Sequence, residues 1–248
     1  MTASPALAQD CRAMAVVEIL LPGYPLRTAR GSMGYASSTL VTTDGGAKVL
    51  VDCAGYSDRT QFFEALALKK LAPEAIDVLV LTHLHFDHCI NARFFTRARV
   101  LVSQAEYEFA ARAVRQEPYG DPYVIDDPEG MLGRLHTELV ASETAIAPDL
   151  RLLFTPGHTP GAMSVLADTA AGRVAMASDS AKSVSELITR QVYPSAACDP
   201  VAAARSIERL LASADFIIPG HDRRVRVVDG RPCLEDVRDR PALTLHIY

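Results

Sequence analysis

The chain has no closely spaced cysteine pair, no excess of basic charge and no long apolar run, and each absence removes a class of protein. Its five cysteines, Cys11, Cys53, Cys89, Cys198 and Cys233, are odd in number and scattered. That pattern reads as reduced thiols in a cytosolic protein rather than as a disulfide framework. With 25 Lys and Arg against 30 Asp and Glu, the formal net charge is −5, whereas a sequence-independent nucleic-acid binder needs a basic surface. No apolar stretch approaches the roughly 18–20 residues of a membrane span. The opening MTASPALAQDCR has neither a cationic start nor an apolar core, so residues 1–13 are expected to be a loose tail rather than a signal peptide. A cytoplasmic location without membrane attachment is the expectation. What is present is a chain of 248 residues, 49% hydrophobic and without low-complexity runs, enough to bury a substantial core.

The chemistry concentrates in LVLTHLHFDHCIN, residues 79–91. Val78 to Leu81 reads as a buried strand, which then gives way to His83, His85, Asp87 and His88. Positions i, i+2, i+4 and i+5 scatter around a helix of 3.6-residue period and cannot share one face; on a tight loop at a strand end they can converge. Imidazole and carboxylate are ligands for zinc, iron and manganese. No core would gather four such groups in six positions without something to satisfy them.

Around this loop, strands and helices alternate. Residues 14–20, 37–42, 48–51 and 76–81 read as strands, with a hairpin turn at Asp44-Gly45-Gly46. Residues 58–71 read as a helix with Phe62, Phe63, Leu66 and Leu71 on its apolar side, a capping-box start at Asp58 and Gln61, and a stop at Pro73. A strand at 100–102 and a helix over 104–115 follow. Residues 116–135, QEPYGDPYVIDDPEGMLGRL, lack periodicity; two readings stand, a lid over the site and a solvated acidic insertion. Strands return at 151–154, 163–167, 174–177 and 215–218. Asp199-Pro200 opens a helix, cap residue then proline, and a final hairpin turns at Asp229-Gly230. The alternation, without a dividing linker, predicts one domain of α/β layers over 1–248.

Three further candidates stand where strands end: His158 after LLFTPG, Asp179 after VAMAS and His221 after FIIPG. Strand-end loops at one sheet edge are where α/β proteins build active sites. The repeated Pro-Gly-His context singles out His158 and His221; His136 and His246 lack it and read as surface residues.

His83-x-His85-x-Asp87-His88, His158 in TPGHTPG, Asp179 and His221 in IPGHD together resemble the metallo-β-lactamase-fold hydrolases over about residues 30–228. The resemblance implies a four-layer αββα sandwich and two divalent metal ions, zinc first, with iron or manganese accepting the same ligands. It places His83, His85 and His158 on one metal, Asp87, His88 and His221 on the other, and Asp179 between them. Asp52 would brace the metal loop. An aspartate at the bridge, where the best-known class B β-lactamases have cysteine, sets the chain beside the lactonases, thioesterases and phosphodiesterases of the fold.

Divalent cations acidify water toward a pKa of about 7 and stabilise a developing oxyanion. Asp87 and Asp179, spent on metal, can still take a proton as an intermediate collapses. Lys182 stands where acyl-homoserine-lactone lactonases carry a tyrosine, and either serves an oxyanion or substrate carboxylate or points to solvent; Tyr193 and Ser180 have weaker claims. The leading expectation is hydrolysis of a small ester or lactone. Phosphodiester hydrolysis is the alternative, and a non-catalytic metal-binding protein a remote one. A phosphate would require several cations or N–H donors, whereas residues 116–135 offer Tyr119, Tyr123, Val124, Ile125 and Met131 with Arg134 as the one cation. Lactonases of the fold suggest a homodimer.

Overall fold

The computed structural model describes residues 14–25, 27, 28, 31, 32, 35–116, 120–192 and 198–233. The expected tail at 1–13 lies outside them, as do Tyr119, Tyr193 and His246. β1 (Val16–Leu21) is followed by a two-stranded ladder of β2 (Arg27–Thr28) and β3 (Gly31–Ser32), then by β4 (Ser38–Thr42), β5 (Lys48–Val51), β6 (Val78–Val80), β7 (Arg99–Ser103) and β8 (His136–Val140). A six-stranded sheet runs β1-β4-β5-β6-β7-β8, antiparallel as far as β5 and parallel from there to β8. The second half supplies β9 (Ala145–Ala147), β10 (Leu150–Phe154), β11 (Met163–Thr169), β12 (Gly172–Ser178), β13 (Phe216–Pro219), β14 (Val225–Val228) and β15 (Arg231–Cys233). These form a seven-stranded sheet in which only β12 and β13 pair in parallel.

Strand alternation sets the layers. Val49, Val51, Val80 and Leu101 face the second sheet and pack with Leu150, Leu152, Met163, Val165, Met176 and Ile218. The intervening Leu50, Leu79, Leu81, Val100 and Val102 point the other way, because successive side chains leave a strand on opposite faces. They meet α1 (Arg59–Leu68), α3 (Gln104–Ala113) and α4 (Pro128–Leu132) through Phe62, Leu66, Ala110 and Leu132. On the far side, Leu166, Ala175, Ala177 and Ile217 meet α5 (Val184–Thr189) and α6 (Pro200–Ser213) through Leu187, Ile207, Leu210 and Leu211. The result is the expected four-layer αββα sandwich, each buried Leu or Ile contributing about 2 kcal/mol of transfer free energy.

Several local expectations change. α1 ends at Leu68 rather than 71. Lys70 takes a left-handed φ of 59°, its N–H donates to Ala67 O and that of Leu71 to Leu66 O, a Schellman closure that stops the helix before Pro73 acts. Asp58 does not cap α1 with its side chain; its carboxylate accepts from Gly55 N instead. Residues 120–135 contain α4, capped by Asp127 with Pro128 at its first turn, and Val124, Ile125 and Leu132 are buried. The described part of this stretch is not wholly solvated: its apolar residues pack inward while Asp126, Asp127 and Glu129 stay exposed. β8, β9 and α5 carry too few residues to show a period in the sequence. Asp199 caps α6 as expected, accepting from Val201 N and Ala202 N. No helix of the described residues is long and apolar enough to cross a membrane.

Candidate metal centre

β6 delivers the metal loop to the edge where both sheets end. His83 sits in a bend and His85 on extended backbone, but Asp87 and His88 sit on a one-turn helix, α2 (Phe86–Cys89), so the loop expected for all four residues is a loop followed by a turn of helix. The loops after β10, β12 and β13 bring His158, Asp179 and His221 to the same place. His83, His85, His158 and Asp179 form one group of potential ligand atoms, and Asp87, His88 and His221 a second. Asp179 faces both. Its Oδ2 lies 3.2 Å from His158 Nε2 and 3.9 Å from His83 Nε2; its Oδ1 lies 3.1 Å from His221 Nε2 and 3.3 Å from His88 Nε2.

The ring nitrogens turned away from the cluster are held by protein. His88 Nδ1 donates to Asp52 Oδ2 at 2.8 Å, which leaves Nε2 as the nitrogen turned toward the cluster. His221 Nδ1 reaches the Tyr35 carbonyl at 3.1 Å, and His83 Nδ1 lies 3.1 Å from the Thr82 hydroxyl. Asp52 also accepts from Thr82 N at 2.9 Å and from Ser178 Oγ at 2.8 Å, the bracing expected of it. Asp52 and Ser178 both adopt left-handed φ, 57° and 48°. Each such residue costs about 1–3 kcal/mol, offset here by this web of hydrogen bonds. Asn91 pins the neighbouring turn, its side-chain amide reaching the carbonyls of Cys53, Ala54 and Gly55.

Two observations test whether the cluster suits metal. His83 Nε2 and Asp179 Oδ1 are buried without a hydrogen-bond partner, an expensive state that a cation relieves. The charge states suit it as well. Burial, aided by the imidazoles of His88, His85 and His158, pushes His83 well below the ordinary histidine range, so it is neutral. Burial opposes ionisation of Asp179, but His221, Lys182, His88 and His158 outweigh it and hold the carboxyl well below its usual range. For His88, burial is outweighed by Asp179, Asp87 and Asp52, which hold it well above its usual range; a metal taking His88 must displace a proton. The donor set fits divalent cations.

The Pro-Gly-His repeats have a steric reason. Gly157 has φ of +136°, and a Cβ there would lie 2.2 Å from Ala203 N. At Gly220 a Cβ would lie 2.1 Å from Asp179 Oδ1. Gly220→Ala must therefore move the Asp179 carboxylate or the β13 loop, and metal affinity is expected to fall roughly tenfold to a hundredfold. Competition against a chromophoric chelator measures it; parental affinity would show that the carboxylate is not needed where it stands.

Lys182 does not point to solvent. Its Nζ lies 2.9 Å from Asp179 Oδ2, its N–H donates to Glu186 Oε2 and its carbonyl accepts from His221 N. Ser180 loses its claim: it is buried, donates to the Thr155 carbonyl and meets the Thr155 hydroxyl at 2.7 Å. His136 is exposed at the start of β8, as expected.

Two carboxylates at the site escaped sequence reading. Glu106, fully buried, accepts from Leu84 N at 2.9 Å and from Thr159 Oγ1 at 2.5 Å, clamping the His83–His85 segment to the loop after His158. Its signal was present: Ser103-x-x-Glu106 is a capping box, and Ser103 Oγ does accept from Glu106 N, but the glutamate side chain is diverted to the two loops. Asp121, from the stretch before α4, lies 3.1 Å from His85 Nε2. No local pattern marks it.

The αββα sandwich and this ligand edge agree with the comparisons. The chain belongs to the metallo-beta-lactamase superfamily and is a hydrolase of that family, whose sequence model matches residues 31–221. It is 30% identical over 213 residues to metallo-beta-lactamase domain-containing protein 1 of Xenopus laevis, covering 86% of this chain and 82% of that one. It is 32% identical over 161 residues to an N-acyl homoserine lactonase of Bacillus thuringiensis, with 62% of this chain and 60% of that one covered. Among solved structures, a quorum-quenching N-acyl homoserine lactone lactonase superposes with a TM-score of 0.67 at 21% identity, over 86% of this chain and 94% of that one. A probable metal-dependent hydrolase from Staphylococcus aureus gives 0.71 at 16% identity, over 92% and 98%.

Proposed function

We propose that the protein is a dinuclear hydrolase of small esters or lactones. The observation that carries this reading is the division of the Asp179 carboxylate, one oxygen toward His83 and His158 and the other toward His88 and His221. His83, His85 and His158 would hold one divalent cation, Asp87, His88 and His221 the other, with Asp179 shared; zinc, iron and manganese all accept such ligands. When bound, the cations supply Lewis acidity, polarising an acyl carbonyl and acidifying water toward a pKa of about 7.

The chain's own groups do the rest. Lys182, at the Asp179 edge and partly open to solvent, is placed to offer its ammonium to an acyl oxyanion. Asp87, one-fifth exposed and 3.5 Å from His221 Nε2, can take a proton as the tetrahedral intermediate collapses. Phe86 and Tyr123, both part-exposed, stack at 6.3 Å between centroids beside His85 and form an apolar wall for an acyl group. Asp121, Asp126 and Asp127 in the flanking stretch disfavour a polyanion. The lactonases among the relatives support the same substrate class.

The test is a metal count on protein purified without chelator, with the same sample assayed on a panel of esters and lactones and a panel of phosphodiesters. Two metals per chain and turnover of the acyl panel, at least a hundredfold above the other, is the expected result. Turnover confined to phosphodiesters would overturn the substrate class, and one metal per chain would overturn the dinuclear reading.

A further inference from the structure

His85 differs from His83, His88, His158 and His221 in the nitrogen it turns inward, since those four face the cluster with Nε2. Its Nδ1 is the atom facing inward, 3.0 Å from His158 Nε2, and its Nε2 points outward to Asp121 Oδ2 at 3.1 Å. A neutral imidazole carries one N–H and one lone pair. A carboxylate only accepts, so the hydrogen belongs on Nε2 and the lone pair on Nδ1, toward the cluster.

Asp121 is itself held by the segment it serves. Its Oδ1 accepts from Tyr123 N at 3.0 Å, a side-chain-to-backbone turn that fixes the carboxylate. The same turn is paired to the metal loop: Phe86 N donates to Tyr123 O at 2.8 Å, and His85 bridges to Val124 in antiparallel fashion. The Tyr123 ring lies 5.6 Å from the His85 ring. One short strand of chain thus both orients a ligand and covers it, while Asp121 belongs to neither ligand group.

We propose that Asp121 is a positioning residue, which selects the His85 tautomer that presents Nδ1 to metal and makes the 121–125 turn a structural part of the metal centre. The inference rests on His85 being a ligand, the reading given above. It implies that covering of the site and metal occupancy are coupled: loss of the Asp121 contact loosens both, and metal binding tightens the turn.

The experiment compares the parent with Asp121→Ala, Asp121→Asn and His85→Ala. The full chain is freed of metal by chelation and titrated with zinc against a chromophoric chelator. ¹⁵N imidazole spectra of the metal-free protein report the tautomer, with His85 assigned by its absence in His85→Ala. Asp121→Ala is expected to weaken zinc binding roughly tenfold to a hundredfold and to lose the pure Nε2–H signature. Asp121→Asn, whose amide oxygen still accepts, should restore the tautomer and most of the affinity. A purely structural Asp121 would instead lower the melting temperature of the metal-free protein and leave affinity and tautomer unmoved, which would overturn the proposal. If His85→Ala binds zinc as the parent does, His85 is no ligand and the reading beneath the proposal fails. If His85→Ala loses zinc and Asp121→Ala does not, the proposal alone fails.

Discussion

Asp179→Ala is expected to lower hydrolysis on the order of a thousandfold and to reduce bound metal from two ions to one or none, with the fold retained. Loss of one preorganised polar group at a reacting centre already costs about 10²–10³-fold, and this carboxylate serves both halves of the centre. Its removal leaves His158, His221 and His88 without the anion that lies 3.1–3.3 Å from their Nε2 atoms, and it leaves Lys182 without its partner at 2.9 Å. The strands on which Asp179 depends are independent of it, since β12 is held by β11 and β13, so circular dichroism should be unchanged. Asp179→Asn keeps the volume but halves the oxygen ligands, and should also lose the second ion. Elemental analysis and steady-state kinetics check both; a variant with two metals and parental turnover would remove Asp179 from the bridge.

Glu106 carries the largest expected effect on stability. In Glu106→Ala the N–H of Leu84 and the hydroxyl of Thr159 lose their acceptors in a fully buried place. Each buried unpaired group costs about 1–3 kcal/mol and the void adds more, a total on the order of 4 kcal/mol. For a chain of this length that corresponds to a melting temperature lower by roughly 10 °C. Glu106→Gln, which still accepts from one donor, should lose about half as much.

The pH dependence follows from burial, which raises the Glu106 pKa above its ordinary value despite the hydrogen bonds from Thr159 and Leu84 that lower it. An acid whose folded-state pKa is raised contributes most below its unfolded value, about 4.3, and loses that contribution as pH rises through the folded value. The advantage of the parent over Glu106→Gln in metal-free protein should therefore be greatest near pH 4 and shrink upward from there. Chemical denaturation across pH measures it, and a flat difference would mean that Glu106 titrates as an exposed glutamate does.

The seven ligand candidates were legible in the sequence because each marks an interruption: polar, metal-binding side chains at the ends of aliphatic strands, two of them behind Pro-Gly. The layers were legible as well, since strands buried on both faces read as short aliphatic runs, and 3.6-residue spacing at Ala203, Ile207, Leu210 and Leu211 marks α6. Boundaries set by local hydrogen bonding were not, as the Lys70 closure of α1 and the single turn at Asp87 and His88 illustrate. Nor was the supporting shell. Asp52 and His88 are 36 positions apart, as are His85 and Asp121, and Glu106 and Thr159 are separated by 53. A local window carries residue type and period, so the sequence by itself determined which side chains interrupt which strands, and hence the candidate ligands and the layers. Only the tertiary structure decided which nitrogen of each imidazole faces inward, that Lys182 turns to Asp179 rather than to water, and that the stretch before α4 packs on the metal loop. Those choices are made by hydrogen bonds between distant segments, and such bonds exist only once the two sheets have closed on each other.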